Sequence, residues 1–191
     1  MTFRENKMTR PTDLAGSPAP WKYHRPAIWL HWICALLIVG LLCLGWYMMA
    51  IEDDPGSGWY FDQHKSFGLL LFALVLIRVV WRSTHKPQPL SATVPAWQKT
   101  LAGLTQWLLY GCMLAMPIIG FVGASYTKRG VALFGVRFPA WLTPNHDVAE
   151  QFFALHSILA FVLTALIVLH VAAGLKHLWM DKDRVFHRMW F

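Results

Sequence analysis

The sequence predicts an all-α membrane protein built as a bundle of four transmembrane helices. Three observations carry this. The chain of 191 residues is 56% hydrophobic and only 14% charged, with a mean hydropathy of +0.40. A soluble domain of that balance would be covered in apolar patches. Four apolar runs are each long enough to cross about 30 Å of hydrocarbon as helices, and they are continuous, whereas the strands of a membrane barrel alternate. The basic residues cluster at the ends of these runs, so the net charge of +7 reads as topology and not as a nucleic-acid footprint.

The chain divides into a tail over residues 1–22 and a transmembrane domain over residues 23–191. The tail, polar and rich in Pro, Thr and Ser, is expected to be mobile and lacks the apolar core of a signal peptide. The first span is expected from about Ala27 to Ala50, after Arg25-Pro26, where proline suits a first helical turn. The second runs from about Gln63 to Trp81. The third runs from about Leu101 to Tyr126, with a kink expected at Pro117. The fourth runs from about Phe152 to Met180. Between the third and fourth spans, Phe134, Phe138 and Trp141 predict a cap lying on the bundle. Trp21, Trp32, Trp59, Trp81 and Trp179 fall near span ends, where tryptophan anchors at the interface. Cys34, Cys43 and Cys112 sit in apolar stretches without a CxxC pair, so they read as small buried hydrophobes. No CxxCH occurs, which argues against covalent c-type haem.

The flanks orient the bundle. Arg4, Lys7, Arg10, Lys22 and Arg25 precede the first span. Arg82, Lys86 and Lys99 lie between the second and third, and Lys176, Lys182, Arg184 and Arg188 follow the fourth. The first loop has Glu52, Asp53, Asp54 and Asp62 and no Lys or Arg. The positive-inside rule then puts both termini in the cytoplasm and the acidic loop outside.

His31, His64, His156 and His170 lie within or at the lip of the apolar runs, and ionisable residues there mark functional sites. His156 and His170 share one run at a spacing of fourteen, nearly whole turns, which sets them on one face roughly 21 Å apart along the axis. Topology pairs the four by depth: His31 with His170 on the inner side, His64 with His156 on the outer. Two facing imidazoles per level, from different helices, are what a b-type haem needs, which completes the fold class: four helices with two haems b in the core. Zinc would require three or four ligands at one point. A proton channel would add mid-span carboxylates, and none occurs. His24, seven residues before His31, competes for the inner position; His31 is preferred because it lies inside the apolar run. His85, His146 and His187 read as loop or tail residues.

Arg78 follows His64 by fourteen, on the same face at the inner level. It either meets an anionic haem propionate or snorkels to the inner interface. His177, seven after His170, either handles a quinone carbonyl and its protons or sits at the interface. Gly40, Gly45, Gly68, Gly120, Gly123 and Gly174 either ease a flat macrocycle between helices or let helices pack closely.

Four stretches together resemble the bacterial cytochrome b561 family over roughly Tyr23 to Arg188: WLHWICALL, HKSFGLLLFALVLIRVVWR, MPIIGFV with SYTKRG, and LHSILAFVLTALIVLHVAAGLKHLWMDKD. The resemblance implies a small four-helix di-haem cytochrome of the inner membrane, with His31, His64, His156 and His170 as haem ligands and His177 at a quinone contact. It also implies, for some members, superoxide oxidation: superoxide gives up an electron at the outer surface and ubiquinone receives it. Lys128, Arg129 and Arg137 would draw the anion in, against the acidic first loop. The alternative is an electron carrier that oxidises quinol and serves a periplasmic redox protein or a dehydrogenase subunit. The expected partners are membrane lipid, quinone, and superoxide or a periplasmic redox protein, with no nucleic acid.

Overall fold

The structure, a computed structural model, describes residues 21–139 and 141–191. The tail expected over 1–22 lies outside the described residues up to position 20. Four helices dominate: α1 (Arg25–Ala50), α2 (Gly58–Thr84), α3 (Ala96–Ser125) and α4 (His146–Lys176). All four are long and apolar enough to cross a membrane, with mean hydropathies of 2.4, 1.8, 1.8 and 2.6 in their most apolar windows. Each helix begins earlier than its apolar run. Local chemistry accounts for this at two of them: a proline occupies the first turn of α1. Asn145 caps α4, its side chain accepting from the Val148 amide at 3.2 Å, with Asp147 in the first turn. Helix α3 continues past Pro117, whose missing N–H removes one rung of the ladder.

Consecutive helices pack on one another, α1 on α2, α2 on α3 and α3 on α4, while α4 makes no comparable contact with α1 or α2. A layer of Cys34, Ile38, Leu71, Val75, Tyr110 and Leu163 forms the buried centre. Three of these sit at heptad positions below the histidines: Ile38 seven after His31, Leu71 seven after His64, and Leu163 seven from both His156 and His170. An apolar floor thus separates two histidine levels.

The two ends of the bundle are closed differently. At the end carrying the termini, the chain after α4 makes a π-helical turn (His177–Asp181) and a short 3-10 turn (Phe186–Met189), then straps back over α1. Trp32 Nε1 donates to the Met189 carbonyl at 2.9 Å, and Arg188 donates to the Gln88 and Pro89 carbonyls, each at 3.0 Å. At the opposite end a small hairpin pairs β1 (Ala132–Leu133) with β2 (Val136–Arg137). Its turn residues Phe134 and Gly135 both have positive φ, 45° and 90°, as a two-residue hairpin turn requires. The hairpin lies on the start of α2, with the Phe134 ring edge-on to Phe67 at 5.4 Å. The expected cap is therefore this hairpin.

Candidate functional site: two histidine pairs and their flanks

The structure brings the four intramembrane histidines together as two pairs. At the terminal end, His31 of α1 and His170 of α4 have ring centroids 6.2 Å apart at an interplanar angle of 70°. At the hairpin end, His64 of α2 and His156 of α4 stand 6.1 Å apart at 72°. The rings bridge helices that otherwise barely touch. His24 does not join the terminal-end pair; its ring lies 5.8 Å from that of His85, which itself stacks on Trp81.

Glycines make room for the hairpin-end rings. A Cβ at Gly120 would meet His156 Cε1 and Nδ1, both at 3.1 Å, and one at Gly45 would meet His64 Cε1 at 3.3 Å. Gly45 lies fourteen residues after His31 on α1, so one face of α1 serves both levels. The other glycines divide: Gly123 accommodates Phe152 and Phe153, Gly174 faces Phe186, and Gly40 and Gly68 have no such neighbour. His156 Nδ1 lies 3.1 Å from the Met116 carbonyl. A carbonyl only accepts, so Nδ1 carries the proton and Nε2 keeps a lone pair. His64 Nδ1 is buried and has no partner among the described residues.

Arg78 reaches the terminal-end pair. Its Nη1 donates to the Ala27 carbonyl at 3.1 Å and its Nη2 to His31 Nδ1 at 3.3 Å. One turn further, Arg82 donates to Gln106 Oε1 at 2.9 Å. Beyond them, His177 Nδ1 donates to Asp183 Oδ2 at 2.7 Å and lies 3.2 Å from Asp181 Oδ2. Asp183 is set in place by unusual backbone: Lys182 and Arg184 on either side have φ of 50° and 65°, a region side chains avoid.

At the hairpin end, Asp62 gathers three cations. Arg129 makes a two-point contact with its carboxylate, Nε at 3.1 Å from Oδ1. Lys65 Nζ lies 2.8 Å away and Arg137 Nη2 3.8 Å. This bidentate bond holds the Arg129 guanidinium's proton more firmly than usual. Three cations meet one carboxylate in this cluster, two residues from His64, while Glu52, Asp53 and Asp54 are exposed on the neighbouring α1–α2 loop. Lys65 and Arg129 also tie the α3–α4 loop to α2.

Comparison with known proteins then decides the family. The family model for prokaryotic cytochrome b561 matches residues 22–191. A cytochrome b561 homolog of Escherichia coli K12, named homolog 2, is 31% identical over 175 residues, covering 89% of this chain and 92% of its own. The chain belongs to the prokaryotic cytochrome b561 family. Two further members are alike over most of their length: cytochrome b561 homolog 1 of the same strain at 25% identity, covering 88% of this chain and 96% of its own, and a Yersinia pestis protein named "Probable superoxide oxidase CybB" at 27%, covering 88% and 95%.

Membership in the cytochrome b561 family implies membrane electron transfer and haem b, and the geometry can be tested against that cofactor. Two imidazoles coordinating one metal from opposite sides, each at about 2 Å, hold their ring centroids about 6 Å apart. Both pairs meet this. The free Nε2 of His156, its Nδ1–H fixed by a backbone carbonyl, is the arrangement of a metal-ligating histidine. The orphaned His64 Nδ1 and the glycines that clear space beside both rings fit as well. At the terminal-end pair one adjustment is needed. Arg78 can only donate, so His31 Nδ1 accepts; a metal on Nε2 requires Nδ1 to carry the proton and Arg78 to turn to another acceptor.

Sequence reasoning had no access to several partners. His24 with His85, Arg78 with His31, His177 with Asp183 and Asp62 with Arg129 join residues whose separations carry no periodic signal, or lie in loops. Asp183 alone had a cue, its place six residues after His177 in a polar stretch.

Proposed function

We propose that this protein is a di-haem b cytochrome that oxidises superoxide at the outer face of the bacterial inner membrane and reduces ubiquinone at the inner face. Its terminal end faces the cytoplasm, as the basic flanks indicate. Two superoxide anions become two molecules of oxygen, and one ubiquinone takes up the two electrons and two protons to become quinol. The observation that carries the reading is the pair of imidazole pairs, 6.2 and 6.1 Å between ring centroids, at the two ends of one apolar core.

In this reading His31 with His170 would hold the inner haem, and His64 with His156 the outer one. Haem b bound there supplies one-electron redox chemistry. The chain's residues do the rest. Lys65, Arg129 and Arg137 around Asp62 form a local cationic cluster that would attract an anionic substrate at short range. Arg78, beside His31, is the cation that would pair with an anionic group of the cofactor held there. His177, its Nδ1–H held by Asp183, would as an imidazolium donate its Nε2–H to a quinone carbonyl and pass on that proton.

A second reading has one observation in its favour. Glu52, Asp53 and Asp54 are exposed on the outer loop; they repel superoxide and suit a basic periplasmic redox protein receiving electrons from quinol. Stopped-flow mixing of oxidised holoprotein with superoxide separates the two. Reduced b-type absorption within the mixing experiment, followed by quinol formation when ubiquinone is added, supports superoxide oxidation. Haem that stays oxidised under superoxide yet is reduced by quinol overturns it in favour of the carrier.

A further inference from the structure

Arg78 is a cation inside a membrane span, and among the described residues no carboxylate meets it. Helices α1 and α3 contain no Asp or Glu, and the one acid of α2, Asp62, is sixteen residues away at the other end. Its charge is therefore uncompensated in a low-dielectric layer, 3.3 Å from an inner imidazole. Arg82, one turn beyond, is likewise bonded to a neutral group, Gln106. The outer pair has a different surrounding. Its nearby cations share Asp62: the side chains of Arg129 and Arg137 are 43% and 55% exposed, so water and salt screen them, and Lys65, only 17% exposed, is paired with the carboxylate at 2.8 Å.

A positive charge favours the state that has gained an electron, and the effect grows as the dielectric falls. Resting on the two-site reading above, we propose that Arg78 makes the inner site the stronger electron acceptor, so that electrons entering at the outer pair run inward to the quinone. The sign survives if a haem carboxylate pairs with Arg78. Removing the arginine then leaves that carboxylate unpaired, which again disfavours the added electron.

The test is a potentiometric titration of purified holoprotein followed by b-type absorption. The wild type should show two components. Arg78→Gln should lower the higher one by at least tenfold in the equilibrium for sharing an electron between sites, about 59 mV for a one-electron couple, and leave the lower one in place. Arg78→Lys should restore most of the difference. In a His64→Ala background, which retains only the inner haem, the surviving component should be the higher one and should fall with Arg78→Gln. If Arg78→Gln does not load the inner haem, Arg82→Gln provides the same readout, with a smaller fall of the same component. A shift of both components together, of the lower one alone, or of neither overturns the proposal. A wild type whose two haem equivalents titrate as one component also overturns the proposal, whereas a wild type that binds fewer than two haem equivalents per chain overturns the di-haem reading itself.

Discussion

A single missing side chain decides whether an imidazole can stand where His156 stands. Gly120 lies against that ring, and any Cβ there would approach it to 3.1 Å. The ring also needs the Met116 carbonyl one turn earlier on α3 to hold its proton. On the proposed di-haem reading, Gly120→Val should therefore push the ring away and cost one of two haem equivalents, with the other retained, as measured by haem extraction and the reduced-minus-oxidised spectrum. Retention of both haems would show that His156 tolerates displacement. The histidines were legible from the sequence because an imidazole in an apolar run is conspicuous, and because fourteen residues is nearly a whole number of turns. The glycines were only candidates. Spacing alone could not separate Gly120, which clears space for a ring, from Gly123, which lets Phe152 and Phe153 of α4 pack close.

At the scale of elements, the hairpin at the outer end hangs on Ser66. This fully buried residue donates to the Asp62 carbonyl at 2.7 Å and accepts from the Phe134 amide at 2.9 Å, with the Ala132 carbonyl also at 3.3 Å. Ser66→Ala leaves the Phe134 amide without its acceptor, a loss of about 1–3 kcal/mol. The expected outcome is local: faster hydrogen exchange at Phe134 and its hairpin neighbours, with the haem spectrum unchanged. Unaltered exchange would mean that Phe67 and the Asp62 cluster hold the hairpin alone. The hairpin's apolar and aromatic content predicted a cap, but two short strands leave no usable alternation in the sequence. The early starts of α2, α3 and α4 were equally hidden, whereas Arg25-Pro26 already marked that of α1. Hydropathy registers where the membrane begins, while Pro26 and Asn145 register where the helix begins, and the two differ by several residues.

For the whole molecule, the charge asymmetry of the loops makes a topological prediction. A cysteine placed at Asp54 should react with a membrane-impermeant maleimide added outside intact cells, and one placed at His187 only after the membrane is opened. The reverse pattern would invert the membrane orientation and, with it, the direction of the proposed electron path. Closure of the terminal end was not foreseeable at this scale. The strap formed by Arg188, Met189 and Trp190 joins the last residues to Trp32 and to the α2–α3 loop, contacts more than a hundred and fifty residues apart for Trp32 with Met189.

What the sequence alone determined is what depends on composition and on position along one helix: four apolar spans, the charge bias of their flanks, and two histidine levels separated by an apolar layer on a shared face. Those follow from the helical period and the thickness of hydrocarbon, and neither needs a neighbour. The tertiary structure decided everything that required two helices to meet. It brought His31 and His170, already matched in depth by topology, to 6.2 Å between ring centroids, set His24 beside His85, and put Gly45 and Gly120 beside the hairpin-end rings. It also placed an arginine without a carboxylate partner at the terminal-end pair and a screened cluster of charges at the hairpin end. Contacts between helices are set by packing across the bundle, and no spacing within a single run encodes them.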